Sequence, residues 1–115
     1  MRKNSPTRFV VAAASLALSG VALAAAPAGS VEKGSYANQV LARDALIGVT
    51  AKVRSEGCSN PERYQPYVMQ KPSGSAGSRT WSEQWVVQGC GKDYPVTLDF
   101  REEGAKGASW HIVSN

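Results

Sequence analysis

A chain of 115 residues with two cysteines and one histidine has room for one domain, not two. Thirteen Lys and Arg face nine Asp and Glu, but three of the basic residues, Arg2, Lys3 and Arg8, precede every acid. Without that leading segment the balance is ten against nine. This balance gives no support for nucleic-acid binding, which usually shows a concentrated basic patch.

Residues 1–24 read as a secretory signal peptide. Arg2, Lys3 and Arg8 form a positive front, Phe9 to Leu23 is an apolar run with small interruptions, and Ala22-Leu23-Ala24 is an A-x-A cleavage site. Cleavage one residue later, after Ala25, fits as well. The run is short of the roughly 20 residues that a membrane span needs. No cysteine stands at the cleavage site to carry a lipid, so no stable membrane anchor is expected after cleavage. The expected location is the periplasm or the secreted fraction.

About 91 residues then remain. A domain this small buries little more than half of its unfolded surface, so a covalent staple matters. Cys58 and Cys90 meet an oxidising compartment after export and read as one disulfide. Closing that loop would contribute about 3–4 kcal/mol in the chain-entropy model. Two cysteines and one distant histidine match no zinc spacing, and no metal is expected.

Residues 25–35, rich in Ala, Gly, Pro and Ser, read as a flexible leader. The single domain is placed at 36–115. Ser35 is a candidate cap for a helix from Tyr36 onward, with Ala37, Leu41, Ala45 and Gly48/Val49 at helical spacing. Residues 47–54 also alternate like a strand. The longer helix, to about Val53, is the preferred reading, because only Gly48 interrupts it. Ser55 to Pro61 is turn chemistry around Cys58. Arg63 to Gln70 reads as a strand, which Pro66 confines to an edge or delays past itself. Pro72 to Ser78 reads as a flexible loop. Its Gly74 and Gly77 lack the Gly-Lys-Ser/Thr of a phosphate site, so no cofactor is expected.

Arg79 to Gly91 holds two of the three tryptophans and one cysteine, and reads as the central strand with its closing turn. Strand parity puts Trp81, Glu83, Trp85 and Val87 on one face and Ser82, Gln84, Val86 and Gln88 on the other. Glu83 is the odd member. It reads either as a strand-end carboxylate that reaches solvent or an Arg or Lys, or as a recognition group framed by aromatic rings. In Tyr94 to Arg101, Val96, Leu98 and Phe100 face in while Thr97, Asp99 and Arg101 face out. Glu102 and Glu103 fall in a polar, solvated turn. Ala108, Trp110 and Ile112 face in on the last strand, and Trp85 or Val87 should lie across from the Val96/Leu98 region and Phe100 across from Trp110. The fold class expected is α+β: an N-terminal helix packed on an antiparallel meander of about four strands, with one disulfide.

The segment Trp81-x-Glu83-x-Trp85-x-Val87-x-x-Cys90-Gly91, with the Val96–Phe100 strand and the glycine-containing turn after it, resembles the C-terminal half of small exported proteins of Gram-negative bacteria, a group of unassigned function. The likeness covers residues 57–113. It implies a periplasmic domain with one disulfide, and offers no catalytic residue to carry over. Where many of those proteins follow the last turn with Gly-Gly-Thr, this chain has Lys106-Gly107-Ala108.

His111 is the only histidine, no G-x-S-x-G elbow occurs, and the acids are scattered. The expected function is therefore a non-enzymatic binding module of the envelope that inhibits or sequesters an envelope enzyme or a toxin. Its protein partner would meet Tyr64, Tyr67, Trp81 and Glu83 beside the Pro72–Ser78 loop, since aromatic anchors carry interface energy. The alternatives are a small periplasmic hydrolase of cell-wall material depending on His111, and a redox protein with reactive Cys58 and Cys90.

Overall fold

The computed structural model describes residues 25–113, so the expected signal segment lies outside the described residues. In chain order come β1 (Glu32–Lys33), α1 (Gln39–Ser55), β2 (Pro61–Ser73), β3 (Thr80–Gly89), β4 (Lys92–Glu102), a single 3-10 turn (Gly104–Lys106) and β5 (Ala108–Ile112). The strands form one antiparallel sheet in the order β1-β2-β3-β4-β5. The helix lies across one face. This is the expected α+β architecture, with five strands rather than about four.

The additional strand comes from the segment read as a leader. Glu32 and Lys33 lie opposite Val68 and Tyr67. The Val31 amide donates to the Val68 carbonyl at 2.8 Å, and the Gly34 amide to the Pro66 carbonyl at 2.9 Å. Residues 31–34 are thus tied to the edge of β2. Two residues are too few to show alternation, which is why the sequence pattern misses this strand.

The helix runs to Ser55, as the longer of the two readings has it, but it begins later than expected. Asn38 is the cap, and its side-chain oxygen accepts from the Leu41 amide at 2.9 Å. That satisfies one of the donors left open in the first turn. The Ser35 hydroxyl instead accepts from the Ala37 amide at 3.0 Å, a local turn upstream of the helix. Leu41, Ala45, Val49 and Val53, each one turn apart, form the buried stripe. Gly48 lies against the Trp110 indole, and a Cβ there would overlap the ring. The absent side chain therefore sets how closely α1 approaches β5.

β2 extends past both expected ends and passes through Pro66. The Pro66 carbonyl points to the β1 side, where it accepts from Gly34. In a strand the nitrogen of the same residue points the same way, so the missing N–H leaves the β3 ladder intact. The inner face of the sheet follows the expected parity. Trp81, Glu83, Trp85 and Val87 on β3, with Tyr94, Val96, Leu98 and Phe100 on β4, are buried. Trp85 lies opposite Val96 and Phe100 opposite Trp110. Trp81 stacks on Phe100 with centroids 5.1 Å apart and planes 10° from parallel. These side chains and the helix stripe make one core, each large apolar member contributing about 1.5–3 kcal/mol of burial.

Gly89 pairs with Lys92, leaving Cys90 and Gly91 as a two-residue hairpin loop. Both have positive φ, 54° and 76°, as a type I′ turn demands. Gly91 adopts this conformation freely. Cys90 is held there by its bond to Cys58, with the two Cα atoms 5.7 Å apart. Cys58 is fully buried just past the end of α1. The disulfide thus joins the end of the helix to the β3–β4 turn, as expected.

Candidate functional site: a clasped carboxylate and an open polar sheet face

The four residues expected to form a contact surface do not do so. Glu83 is completely buried, Trp81 is 6% exposed and Tyr67 5%. Tyr64 is half-buried on the inner face, where its hydroxyl and that of Thr50 hydrogen bond at 2.7 Å and tie β2 to α1. Tyr67 is on the opposite face, in a small buried cluster with Val86. The four are therefore split between two faces.

Glu83 is fully buried and meets no cation among the described residues. Its Oε2 accepts from Trp81 Nε1 and from the Tyr36 amide, both at 2.8 Å, and its Oε1 accepts from Trp85 Nε1 at 2.8 Å. Aromatic rings do frame it, as one reading has it, but as hydrogen-bond donors inside the core rather than as the rim of a recognition site. The pattern W-x-E-x-W explains the geometry. Residues two apart in a strand share a face about 7 Å apart, so an indole on either side of the carboxylate can turn its N–H inward. The third donor, Tyr36, is 47 residues away in the chain and fastens the segment before the helix to the centre of the sheet. A buried charge without hydrogen bonds is prohibitively costly, and here both oxygens are satisfied.

A second carboxylate organises the far end of the sheet. Glu102, expected in a solvated turn, ends β4. Its Oε2 accepts from Arg79 Nη2 at 2.7 Å, while Oε1 accepts from Arg79 Nε at 3.0 Å, the Arg79 amide at 3.1 Å and the Gly77 amide at 2.9 Å. The Arg79 side chain, followed by its amide, holds the Glu102 carboxyl down at about 2. The loop expected to be flexible is thereby bound to the β4–β5 connection, where the Gly104 amide also donates to the Gly77 carbonyl at 2.9 Å. Glu103 is exposed and accepts from the Ser109 hydroxyl at 2.8 Å.

The face of the sheet opposite α1 is the remaining candidate for contact. Register lines up Gln70, Ser82, Asp99 and His111 in one row across β2 to β5. Thr80, Arg101 and Ser109 form the next row, while Gln84 donates to the Thr97 hydroxyl at 3.0 Å in another. Gln70, Thr80, Asp99, Arg101, Ser109 and His111 help line a shallow depression of about 330 Å³. Arg101 is exposed and its side chain has no hydrogen bond or ion pair among the described residues. His111 Nε2 is 3.7 Å from Asp99 Oδ2, with both side chains at least half exposed. The sequence signal for this surface is the outward parity of Thr97, Asp99 and Arg101, which by itself does not distinguish a contact face from a solvated one.

His111 shares this face with Ser82 and Ser109. Asp99 stands between Ser82 and His111, so that serine and the histidine are two strands, roughly 9–10 Å, apart. A general base must come within about 3 Å of the proton it removes. Both cysteines are in the disulfide, so neither is the free thiol that a reactive-thiol reading needs. Among the described residues no helix is long and apolar enough to cross a membrane, and no group of three or more His, Cys, Asp or Glu could hold a metal ion.

The fold thus defines a disulfide-stapled α+β domain with a five-stranded antiparallel sheet covered by a helix on one side. No protein-family model, no curated protein and no solved structure matches the chain.

Proposed function

We propose that the protein is an exported binding module of the bacterial envelope that engages a protein partner through the open polar face of its sheet, and that it inhibits or sequesters an envelope enzyme or a toxin. The observation that carries this reading is the split character of the sheet. One face is closed by α1 over an apolar core, while the other presents Ser82, Thr97, Asp99, Arg101, Ser109 and His111 at regular strand spacing. Asp99 and Arg101 bring opposite charges two residues apart on that face, and Arg101 is left for an outside acceptor. Exposed charges of this kind set register, partner choice and on-rate more than raw affinity. The positive front before the apolar run, the A-x-A site and the disulfide support export.

The test is crosslinking in cells from a photoreactive residue at Ser82 or Ser109, followed by capture of the tagged protein from the periplasm and mass spectrometry. One protein recovered near stoichiometry is expected. Asp99→Arg and Arg101→Glu should each weaken binding of that purified protein by about tenfold or more while the fold is retained. Unchanged affinity in both variants would exclude this face, and recovery of the protein alone from both positions would exclude a protein partner there.

A further inference from the structure

The outer face of α1 carries apolar and charged groups in a pattern that complements itself. Opposite the buried stripe, Val40 is 64% exposed and Ile47 68%. Seven residues make nearly two turns, so Val40, Ile47 and Arg54 fall on one line, with Asp44 and Ala51 on the line beside it. All five are exposed. Neither the Asp44 nor the Arg54 side chain has a hydrogen bond or an ion pair among the described residues. Two of the largest exposed aliphatic side chains therefore share a helix face with an unpaired anion and an unpaired cation.

Asp44 and Arg54 lie the same number of residues before and after Val49. If a second copy of the helix runs antiparallel with a twofold axis at the height of Val49, Asp44 faces Arg54 of the second copy, and Arg54 faces its Asp44. The two ion pairs lie about 15 Å apart along the helix. Ile47 of each helix then meets the small Ala51 of the other, between the two pairs. A twofold contact must be self-complementary in this way, with each residue's partner repeated on the other side. Antiparallel helices in contact approach to about 8–10 Å, which a small residue opposite a large one permits.

We infer that the protein forms a twofold dimer through the outer face of α1, with Ile47 packed on Ala51 and Asp44 paired with Arg54 across the interface. The sheet's open face lies on the other side of the molecule, so the dimer and the binding reading stand or fall separately. One helix face is a small interface, and its dimer belongs to the weak class.

The test is sedimentation equilibrium of the purified mature protein from about 1 µM to about 1 mM, at low salt and again at high salt. A monomer–dimer equilibrium that weakens with salt is expected. Asp44→Arg or Arg54→Asp alone should raise the dissociation constant by about tenfold or more, and the double exchange should restore it, since it swaps the charges of each pair. Ile47→Glu should leave monomer only. Circular dichroism of each variant checks that these exposed changes leave the fold intact. A wild-type protein that stays monomeric at the highest concentration overturns the inference, whether a membrane or another protein uses the face. So does a dimer that survives Ile47→Glu, or a double exchange that fails to restore it.

Discussion

At the scale of single residues, Glu83 shows how a motif can be read correctly for position and wrongly for purpose. Parity places it between two tryptophans on one face, and the structure agrees. What parity cannot supply is the direction of the indole N–H groups or the arrival of Tyr36 from a distant part of the chain. Glu83→Gln tests the charge. Three N–H donors converge on two acceptor oxygens, so the glutamine NH₂ must point at one of them. A loss of about 2–4 kcal/mol in urea unfolding is expected, because a donor is left facing a donor and the charge-assisted bonds become neutral ones. Trp85→Phe should also destabilise, by about 1.5–3 kcal/mol for the bond to the charged oxygen, beyond any loss of packing. A Glu83→Gln protein as stable as wild type would mean that the carboxylate is dispensable to the core.

At the scale of elements, the long amphipathic pieces were legible and the contact-dependent ends were not. The one-turn spacing of Leu41, Ala45 and Val49 placed the helix face, and the alternation from Tyr94 to Arg101 placed β4. Residue type does not decide the start of α1, since Ser35 and Asn38 are both good caps by type. Tertiary contact chose between them: Glu83 takes the Tyr36 amide, and the helix begins only after Asn38. Gly48 is a similar case. In an exposed helix, Gly→Ala stabilises by about 1 kcal/mol. Here the added methyl meets the Trp110 ring, so Gly48→Ala should lower stability instead, by about 1–3 kcal/mol as in overpacked cores. Urea unfolding reads the sign directly. Gly48→Ala with Trp110→Leu should recover part of the loss if the ring is the obstacle.

At the scale of the whole molecule, the sheet is fastened at both ends. The disulfide closes the end at the β3–β4 turn, and Glu102 closes the other by holding the β2–β3 loop to the β4–β5 connection. Neither Arg79 nor Glu102 belongs to a recognisable motif, and only the fold brings them together, which is why the second fastening was invisible in the sequence. It has a pH signature. The folded Glu102 carboxyl, held at about 2 by Arg79, is below its ordinary value of 4.5. Its contribution is therefore fully present above about pH 4.5 and fades as the pH falls toward 2. Thermal melts of wild type and Glu102→Gln should differ at neutral pH and converge across that interval. A gap that persists to the lowest pH would mean that the contribution does not depend on ionisation.

The clasp around Glu83 also bears on how the chain finds its pairing. Trp81, Glu83 and Trp85 share one parity, so every arrangement that buries both tryptophans through β3 must dehydrate the carboxylate with them. Greasy contact alone would accept several offsets between neighbouring strands, but an anion inside the protein accepts only those in which N–H groups surround it. Arrangements that bury the indoles without the Tyr36 amide would leave Glu83 one donor short, and that cost counts against them. In the native sheet, burial of the two indoles is in this way tied to the long-range closure by Tyr36.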